Sequence, residues 1–176
     1  MISYEQISAV NEDMRREKIR GSEYAPVAAR VAAFREICPN GAIVTEIVHD
    51  GPDMVIIKAT VMDDSGKWLA TGHAYEREGS SQINGTSFIE NCETSAVGRA
   101  LGMLGLGSRD TMASAEEMAN AINQQEMCNA NEIRALKGVC EKLGKDPAEV
   151  FPSWPEVTKK DYGSVMRRIN EQSRKR

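Results

Sequence analysis

The 176-residue sequence lacks long apolar runs and has few residues of the kinds that build disulfides or metal sites. No stretch approaches the roughly 18 apolar residues of a membrane-spanning helix, and the N-terminus shows neither a basic start nor an apolar signal core. We therefore expect a cytoplasmic protein with no membrane partner. The four cysteines are widely spaced, and only His49 and His73 could supplement them. This pattern predicts reduced structural thiols and no metal site.

Familiar catalytic motifs are also missing. The sequence contains no GxxxxGK[ST], no GxSxG and no HExxH. A metal-dependent nuclease of the common αβ type would need a carboxylate two residues before a strand lysine, but Ile56 and Ile57 precede Lys58. Glu93 falls on the apolar side of a predicted helix, where we favour an interhelix or intersubunit hydrogen bond over a general-base role. We expect a protein that is not an enzyme, with no catalytic residues and no cofactor.

Charge is divided unevenly along the chain. Residues 130–176 carry 11 Lys/Arg and 7 Asp/Glu, whereas residues 1–129 carry 11 Lys/Arg and 19 Asp/Glu. The final quarter is therefore basic and the larger part is acidic. If the larger part binds nucleic acid, its few cations must be gathered on one surface.

The hydrophobic period changes from helical to alternating and back. Helical spacing predicts helices over residues 3–18 and 26–37. Alternation predicts strands over 42–49, 54–62 and 68–75, joined by the turn-forming segments 50–53 and 63–66. A long helix over 87–107 follows a polar loop at 76–86. The predicted class is α+β, with an antiparallel three-stranded meander, a long helix, flanking helices and a small C-terminal helical unit.

This order of elements predicts two parts. Residues 1–125 form the core, 126–130 form a linker, and 131–176 form a small basic helical domain. Trp154 is interpreted as a core residue of that domain. The terminal cations either contact nucleic acid or form a frayed basic end: Arg167, Arg168, Arg174, Lys175 and Arg176.

The helix over 87–107 has marked ends and an unusual middle. Ser87 with Glu90 forms a predicted capping box, and glycines end the helix. Gly98 and Gly102 suggest that something approaches closely, because glycine inside a helix costs about 1 kcal/mol relative to alanine. Helical periodicity predicts a shallow polar strip with Arg99 as its single cation. The opposite, core-facing side includes Ile89, Cys92, Ala96, Val97, Ala100, Leu101, Met103 and Leu104.

Alternation in the middle strand separates two sheet faces. Val55, Ile57, Ala59 and Val61 are predicted to face the long helix. The other face carries Lys58 and, if the register permits, residues of the third strand; an ordinary solvent-facing surface is the alternative interpretation. The candidate binding residues are Lys58, Lys67, His73, Tyr75 and Arg77. Arg30 and Arg35 of the second helix are interpreted either as surface charges or as phosphate contacts.

Three segments carry a resemblance to a known family: YAPVAARVAAFR at 24–35, LATGHAYE at 69–76 and ENCETSAVGRALG at 90–102. Across roughly residues 20–125 the chain resembles the annealing domain of the Rad fifty-two superfamily, and most closely the phage single-strand annealing and essential-recombination-function (Erf/Sak-type) proteins. The resemblance implies a β-β-β-α core that forms homo-oligomeric rings or filaments and binds single-stranded DNA in a groove between the sheet hairpin and the long helix. It also implies that Arg99 is directed at the DNA backbone.

The resulting expectation is an ATP-independent protein that anneals complementary DNA strands in phage-type homologous recombination and DNA repair. The C-terminal unit is similar to one found at the end of several phage recombination proteins, and we expect it to contact phage or host replication and recombination proteins. If a phage encodes the chain, its location is the host cell cytoplasm. Two alternatives stay open: a single-strand-coating or recombinase-loading module without annealing activity, and a structural or adaptor oligomer that binds proteins.

Overall fold

The structure, a computed structural model, describes residues 2–80, 83–107 and 112–174. Its contacts divide the chain into two compact units. Unit 1 comprises Met1–Arg77 and Ser87–Asn120, and unit 2 comprises Glu78–Thr86 and Ala121–Arg176. This division differs from the predicted 1–125, 126–130 and 131–176, because the polar loop packs with the C-terminal helices.

Unit 1 is a mixed α+β structure built around one antiparallel sheet. Its elements are α1 (Tyr4–Glu12), β1 (Glu17–Ile19), β2 (Ser22–Tyr24), α2 (Val27–Ile37), β3 (Ala42–Asp50), β4 (Met54–Met62), β5 (Trp68–Arg77), α3 (Phe88–Met103) and the first half of α4 (Ala115–Gln125), up to Asn120. Unit 2 contains the end of α4, a 3-10 turn (Ile83–Gly85), α5 (Ala130–Lys142), α6 (Pro147–Val150) and α7 (Lys159–Arg174).

The three long strands form the predicted meander, in the order β3-β4-β5 with both pairs antiparallel. Val55, Ile57, Ala59 and Val61 are at most 2% exposed, which confirms the predicted inward face. Helix α3 packs on this side so closely that a Cβ added to Gly72 of β5 would lie 2.4 Å from the Ala100 backbone nitrogen. Glycine at this position therefore sets the distance between helix and sheet.

The prediction of one helix over residues 3–18 is wrong beyond Glu12. The capping box of Ser3 and Gln6 begins α1 as the sequence indicates, but the chain then forms the hairpin β1–β2. Arg20 and Gly21 both have positive φ at the turn of this hairpin, which a helix could not accommodate. The Asn11 side chain also bonds the Gly105 carbonyl and the Gly107 amide, both at 2.8 Å, and so ties α1 to the end of α3.

Helix α3 begins after Ser87 as predicted, although Ser87 makes no side-chain cap hydrogen bond, so the predicted capping box is not formed. The helix is followed by Gly105 and Gly107 with positive φ, as the glycine pattern indicates. The predicted faces are only partly correct. Cys92, Ala96, Ala100 and Leu101 are fully buried, but Ile89 and Met103 are 42% and 67% exposed.

The small-residue strip of α3 is covered by the protein itself. A Cβ added to Gly98 would lie 2.8 Å from Val27 Cγ2, and one added to Gly102 would lie 2.8 Å from Arg30 Nη1. The inference that something approaches these glycines is confirmed, but the approaching element is α2. Gly98 and Gly102 are therefore not accessible to a phosphate backbone or a neighbouring subunit.

Unit 2 has its own small core, formed by Leu136, Cys140, Phe151 and Val157. Trp154 packs against this core half-buried, in agreement with its interpretation as a core residue. The connection between α4 and α5 is joined to the start of α7 by backbone hydrogen bonds, from Cys128 to Val157 and from Lys159 to Glu126, both at 2.8 Å. The predicted terminal cations lie outside the described side chains: Arg167, Arg168, Arg174, Lys175 and Arg176.

The four cysteines are free thiols; three are buried and Cys128 is partly exposed. Burial raises the pKa of Cys92, Cys128 and Cys140. Within the described ranges, no helix combines the length and apolar character needed to cross a membrane. The same part of the chain contains no group of three His, Cys, Asp or Glu residues placed to hold a metal ion.

Candidate functional site

The sheet face opposite α3 is open to solvent, and we call it the open face. The register places Lys58 of β4 directly between Glu46 of β3 and His73 of β5. Ile56 lies opposite Tyr75 on the same face. Tyr75 is 66% exposed and Val44 is 47% exposed, which is a large apolar exposure for a sheet surface. By register, the open face comprises Val44, Glu46, His49, Met54, Ile56, Lys58, Thr60, Met62, Trp68, Thr71, His73, Tyr75 and Arg77. Thr60 at its centre is buried.

Trp68 joins the open face because of a β-bulge. Simple alternation from His73 and Tyr75 would direct Trp68 toward the core. The register shifts between Val61 and Met62, so that Trp68 pairs with Met62 and changes face. Its ring is 63% exposed, and Lys58 Nζ lies 5.1 Å from the ring centroid. Trp68 was missed by sequence reasoning because a bulge of one residue leaves no reliable signal in a hydrophobic pattern.

Five of the eight predicted binding residues lie on or beside the open face. Lys58, His73 and Tyr75 share it through the register, and Arg77 is opposite Met54 at its end. Arg77 also forms an ion pair with Asp53 at 3.1 Å. Lys67 is exposed in the turn immediately before Trp68. The Asp63 carboxylate stabilises this turn by accepting a hydrogen bond from the Lys67 backbone amide.

Arg99 lies beyond the edge of β5, in a surface cleft of about 370 Å³. Thr71 and His73 line the same cleft, which is therefore continuous with the open face. Arg99 is 56% exposed, and its Nε donates to Glu117 Oε1 at 2.8 Å. The predicted cation is thus accessible but already paired within the protein.

Arg30 does not lie on the surface, so its interpretation as a surface charge or phosphate contact is wrong. The side chain is fully buried between α2 and α3. Its guanidinium donates to the carbonyls of Gly98 (2.7 Å), Met112 (3.1 Å) and Ala113 (2.9 Å). Burial lowers the pKa of Arg30, and the nearby Glu117 and Glu116 carboxylates oppose that effect. Helical periodicity could not reveal this role, because the acceptors come from distant segments.

Arg35 and Glu93 both make contacts within the chain. Arg35 is exposed at the end of α2, donates to the Gly41 carbonyl and lies 5.5 Å from the Phe34 ring centroid, so its visible contacts stabilise a turn. Glu93 accepts a hydrogen bond of 2.6 Å from Thr45 of β3. The partner of Glu93 is therefore the sheet of the same chain, rather than another helix or subunit as expected.

Comparison with known proteins gives one similarity. Residues 31–104 match the family described as Slr1353 N-terminal dsRNA-binding domain-like. The match covers most of α2, the whole three-stranded sheet and α3, but less than half of the chain. No curated protein and no solved structure matches.

This result corrects the resemblance inferred from the sequence. The match includes the 90–102 segment on which the resemblance to the Rad fifty-two superfamily mainly depended, yet the matching family is not an annealing family. Assignment to the Erf/Sak-type proteins is therefore wrong. Over residues 31–104 the chain is an α+β structure similar to a family described as dsRNA-binding domain-like.

Proposed function

We propose that this protein binds nucleic acid through the open face of its sheet, and that an unpaired strand is its preferred form. The observation that carries the proposal is the pair of exposed rings, Trp68 and Tyr75, on one sheet face. Single strands offer unstacked bases, and base-aromatic stacking contributes about 1–3 kcal/mol per base. The similarity of residues 31–104 to a dsRNA-binding-like family supports nucleic acid as the ligand class.

The spacing of the two rings suits a short stretch of single-stranded nucleic acid. Trp68 and Tyr75 lie at opposite ends of β5, roughly 20 Å apart at about 3.3 Å per residue. Lys58 and His73 lie between them in the register and can approach phosphates. His73 and Thr71 extend the path to the cleft that holds Arg99.

The charge balance predicts that stacking contributes more than ion pairing. Residues 1–129 are acidic, Glu46 lies beside Lys58, and Arg77 is paired with Asp53. Each neutralised phosphate of a single strand contributes about −0.7 to the slope of log affinity against log salt. With two or three phosphate contacts, we expect a slope of roughly −1.5 to −2.

The test compares two exposed tyrosines of unit 1. Tyr75→Ala and Trp68→Ala should each weaken binding of a single-stranded oligonucleotide roughly 5- to 150-fold, the equivalent of one stacked base. Tyr4→Ala is the matched control, because Tyr4 is 79% exposed but lies on α1. Binding is measured by fluorescence anisotropy, with thermal melts to verify folding. Equal affinity of all three variants and the wild type would remove the open face from the site.

Duplex RNA is the second candidate ligand, favoured by the family similarity. Double-stranded RNA is recognised by shape, 2′-hydroxyls and phosphates rather than by stacking. Duplex RNA that binds more tightly than single strands, with no effect of Trp68→Ala, would support this candidate. DNA and RNA of the same sequence are compared in both forms.

Strand annealing is proposed as a consequence of single-strand binding. An annealing protein holds phosphates without occupying the pairing edges of the bases, and it breaks no bond. Mixing complementary labelled strands without nucleotide or metal measures this activity. Tight single-strand binding without faster pairing would favour a coating or loading module, and absence of any oligonucleotide binding would favour a protein-binding adaptor.

A further inference from the structure

Unit 2 contains a cavity of about 380 Å³. Its walls come from residues 79, 80 and 85, the end of α4, and helices α5 and α7. Cavities of this size commonly enclose small molecules. It therefore suits a ligand of the size of a nucleoside.

The wall residues 79 and 80 are bonded to Asn84 and lie close to α7. The Gly79 amide donates to the Asn84 carbonyl at 2.8 Å, and the Asn84 side chain, 1% exposed, donates to Ser80 Oγ at 2.8 Å. A Cβ added to Gly163 of α7 would lie 2.7 Å from the Gly79 carbonyl oxygen. The cavity therefore depends on the absence of a side chain at position 163.

The lining offers flat surfaces and amide groups. Tyr162 and Met166 of α7 line the cavity, and so does Gly85, which has no side chain. Asn123 and Gln124 add amides that both donate and accept hydrogen bonds. An unstacked nucleobase matches this combination, since it is flat and has polar edges.

The charges of the lining favour the base over a phosphate. Lys159 is paired with Glu126 at 2.8 Å, so its charge is balanced. Glu132 adds a carboxylate to the wall, and this carboxylate accepts a hydrogen bond from the backbone N–H of Asn129. A carboxylate accepts hydrogen bonds from amino groups and repels anions.

We propose that this cavity binds one unstacked nucleobase bearing an exocyclic amine, as adenine and cytosine do. The ring contacts Tyr162 and Met166, and the amine donates to Glu132. This inference goes beyond the proposed function, because it adds a second contact with a base preference.

The test follows the Met166 methyl group by NMR in the full chain with isotope-labelled methionine. The signal is assigned through Met166→Leu, since the protein has nine methionines. Adenosine and cytidine should shift the Met166 signal in a saturable way, and thymidine and uridine should not. No shift with any nucleoside, or the same shift with all four, would overturn the proposal.

Two variants probe the wall and the carboxylate. Gly163→Ala should displace the backbone of Gly79 and Ser80 and abolish the response to adenosine. Gly138→Ala is its matched control on α5, where an added Cβ meets nothing within 4 Å. Glu132→Gln keeps the capping position and removes the charge, and should weaken adenosine binding at least several-fold. Equal responses of Gly163→Ala and Gly138→Ala, or full affinity in Glu132→Gln, would argue against the cavity.

The Trp68→Ala variant separates this inference from the proposed function. It should retain the Met166 response to adenosine even where it loses oligonucleotide affinity. If wild-type oligonucleotide binding is absent but the Met166 response persists, the proposed function fails and this inference stands. Loss of the Met166 response in Trp68→Ala, with the fold intact, would overturn the assignment to unit 2.

Discussion

We expect Glu117 to compete with a bound phosphate for Arg99, so removing the charge of Glu117 should strengthen binding. In the free protein Arg99 Nε is bonded to Glu117 Oε1, while Glu117 Oε2 accepts the Ser114 amide at 3.0 Å. Glu117→Gln leaves an oxygen for this amide, since glutamine also serves in a capping box. The variant therefore removes the competitor without uncapping α4.

The size of the expected gain in affinity follows from the solvent exposure of the Arg99–Glu117 ion pair. The Arg99 and Glu117 side chains are 56% and 15% exposed, and ion pairs near the surface are worth about 0.2–1 kcal/mol. Glu117→Gln should therefore bind single strands about 1.4- to 5-fold more tightly. Anisotropy titration at low salt measures this change, which should diminish as salt screens the charges.

A double-mutant cycle distinguishes this competition from a general loss of negative charge. Arg99→Gln should weaken binding, and adding Glu117→Gln to it should have no further effect. Glu12→Gln, at the exposed end of α1, is the control with the same change in charge. The same gain in Glu12→Gln, or a gain from Glu117→Gln that persists without Arg99, would refute competition for Arg99.

Two predictions concern stability. Gly72→Ala should lower the free energy of unfolding by about 1–3 kcal/mol, because the new Cβ meets backbone atoms of Ala100 and Ala96 that cannot rotate away; urea unfolding measures this, and an unchanged midpoint would contradict it. Hydrogen bonds from the Ser65 hydroxyl and from backbone amides lower the pKa of Asp63 in the folded protein. The ionised Asp63 therefore stabilises the fold at pH values above its pKa in the unfolded chain. This stabilisation is lost as the pH falls through the lower pKa of the folded protein. Asp63→Asn should therefore flatten the decline of the melting temperature below about pH 4, and parallel curves for both proteins would exclude this role.

Local patterns predicted the sheet because its determinants are local. The turn residues at 50–53 and 63–66 and the alternation around Ile57 determine the meander and its inward face. Once the turns have set the register of the meander, Lys58 and His73 become neighbours on the same face. Five of the candidate binding residues lie on or beside the open face for this reason.

Features that depend on distant contacts could not be predicted in the same way. Trp68 changes face at a bulge, and Arg30 is directed inward because carbonyls from α3 and from residues 112–113 surround it. Gly98 and Gly102 correctly indicated a close neighbour, but the sequence pattern does not say which element it is. The resemblance to annealing proteins depended on the same α3 segment, whose small residues serve packing here.

Arg30 also has a consequence for cooperativity. Three carbonyls from two segments hold a buried cation, and opening either segment alone would leave that charge in an apolar interior with fewer acceptors. Opening of one segment alone is therefore less favourable than opening of all the segments around Arg30 together. Helix α2, helix α3 and the connection at 112–113 should behave as one foldon, whose amides exchange with solvent together at the slowest rates of unit 1.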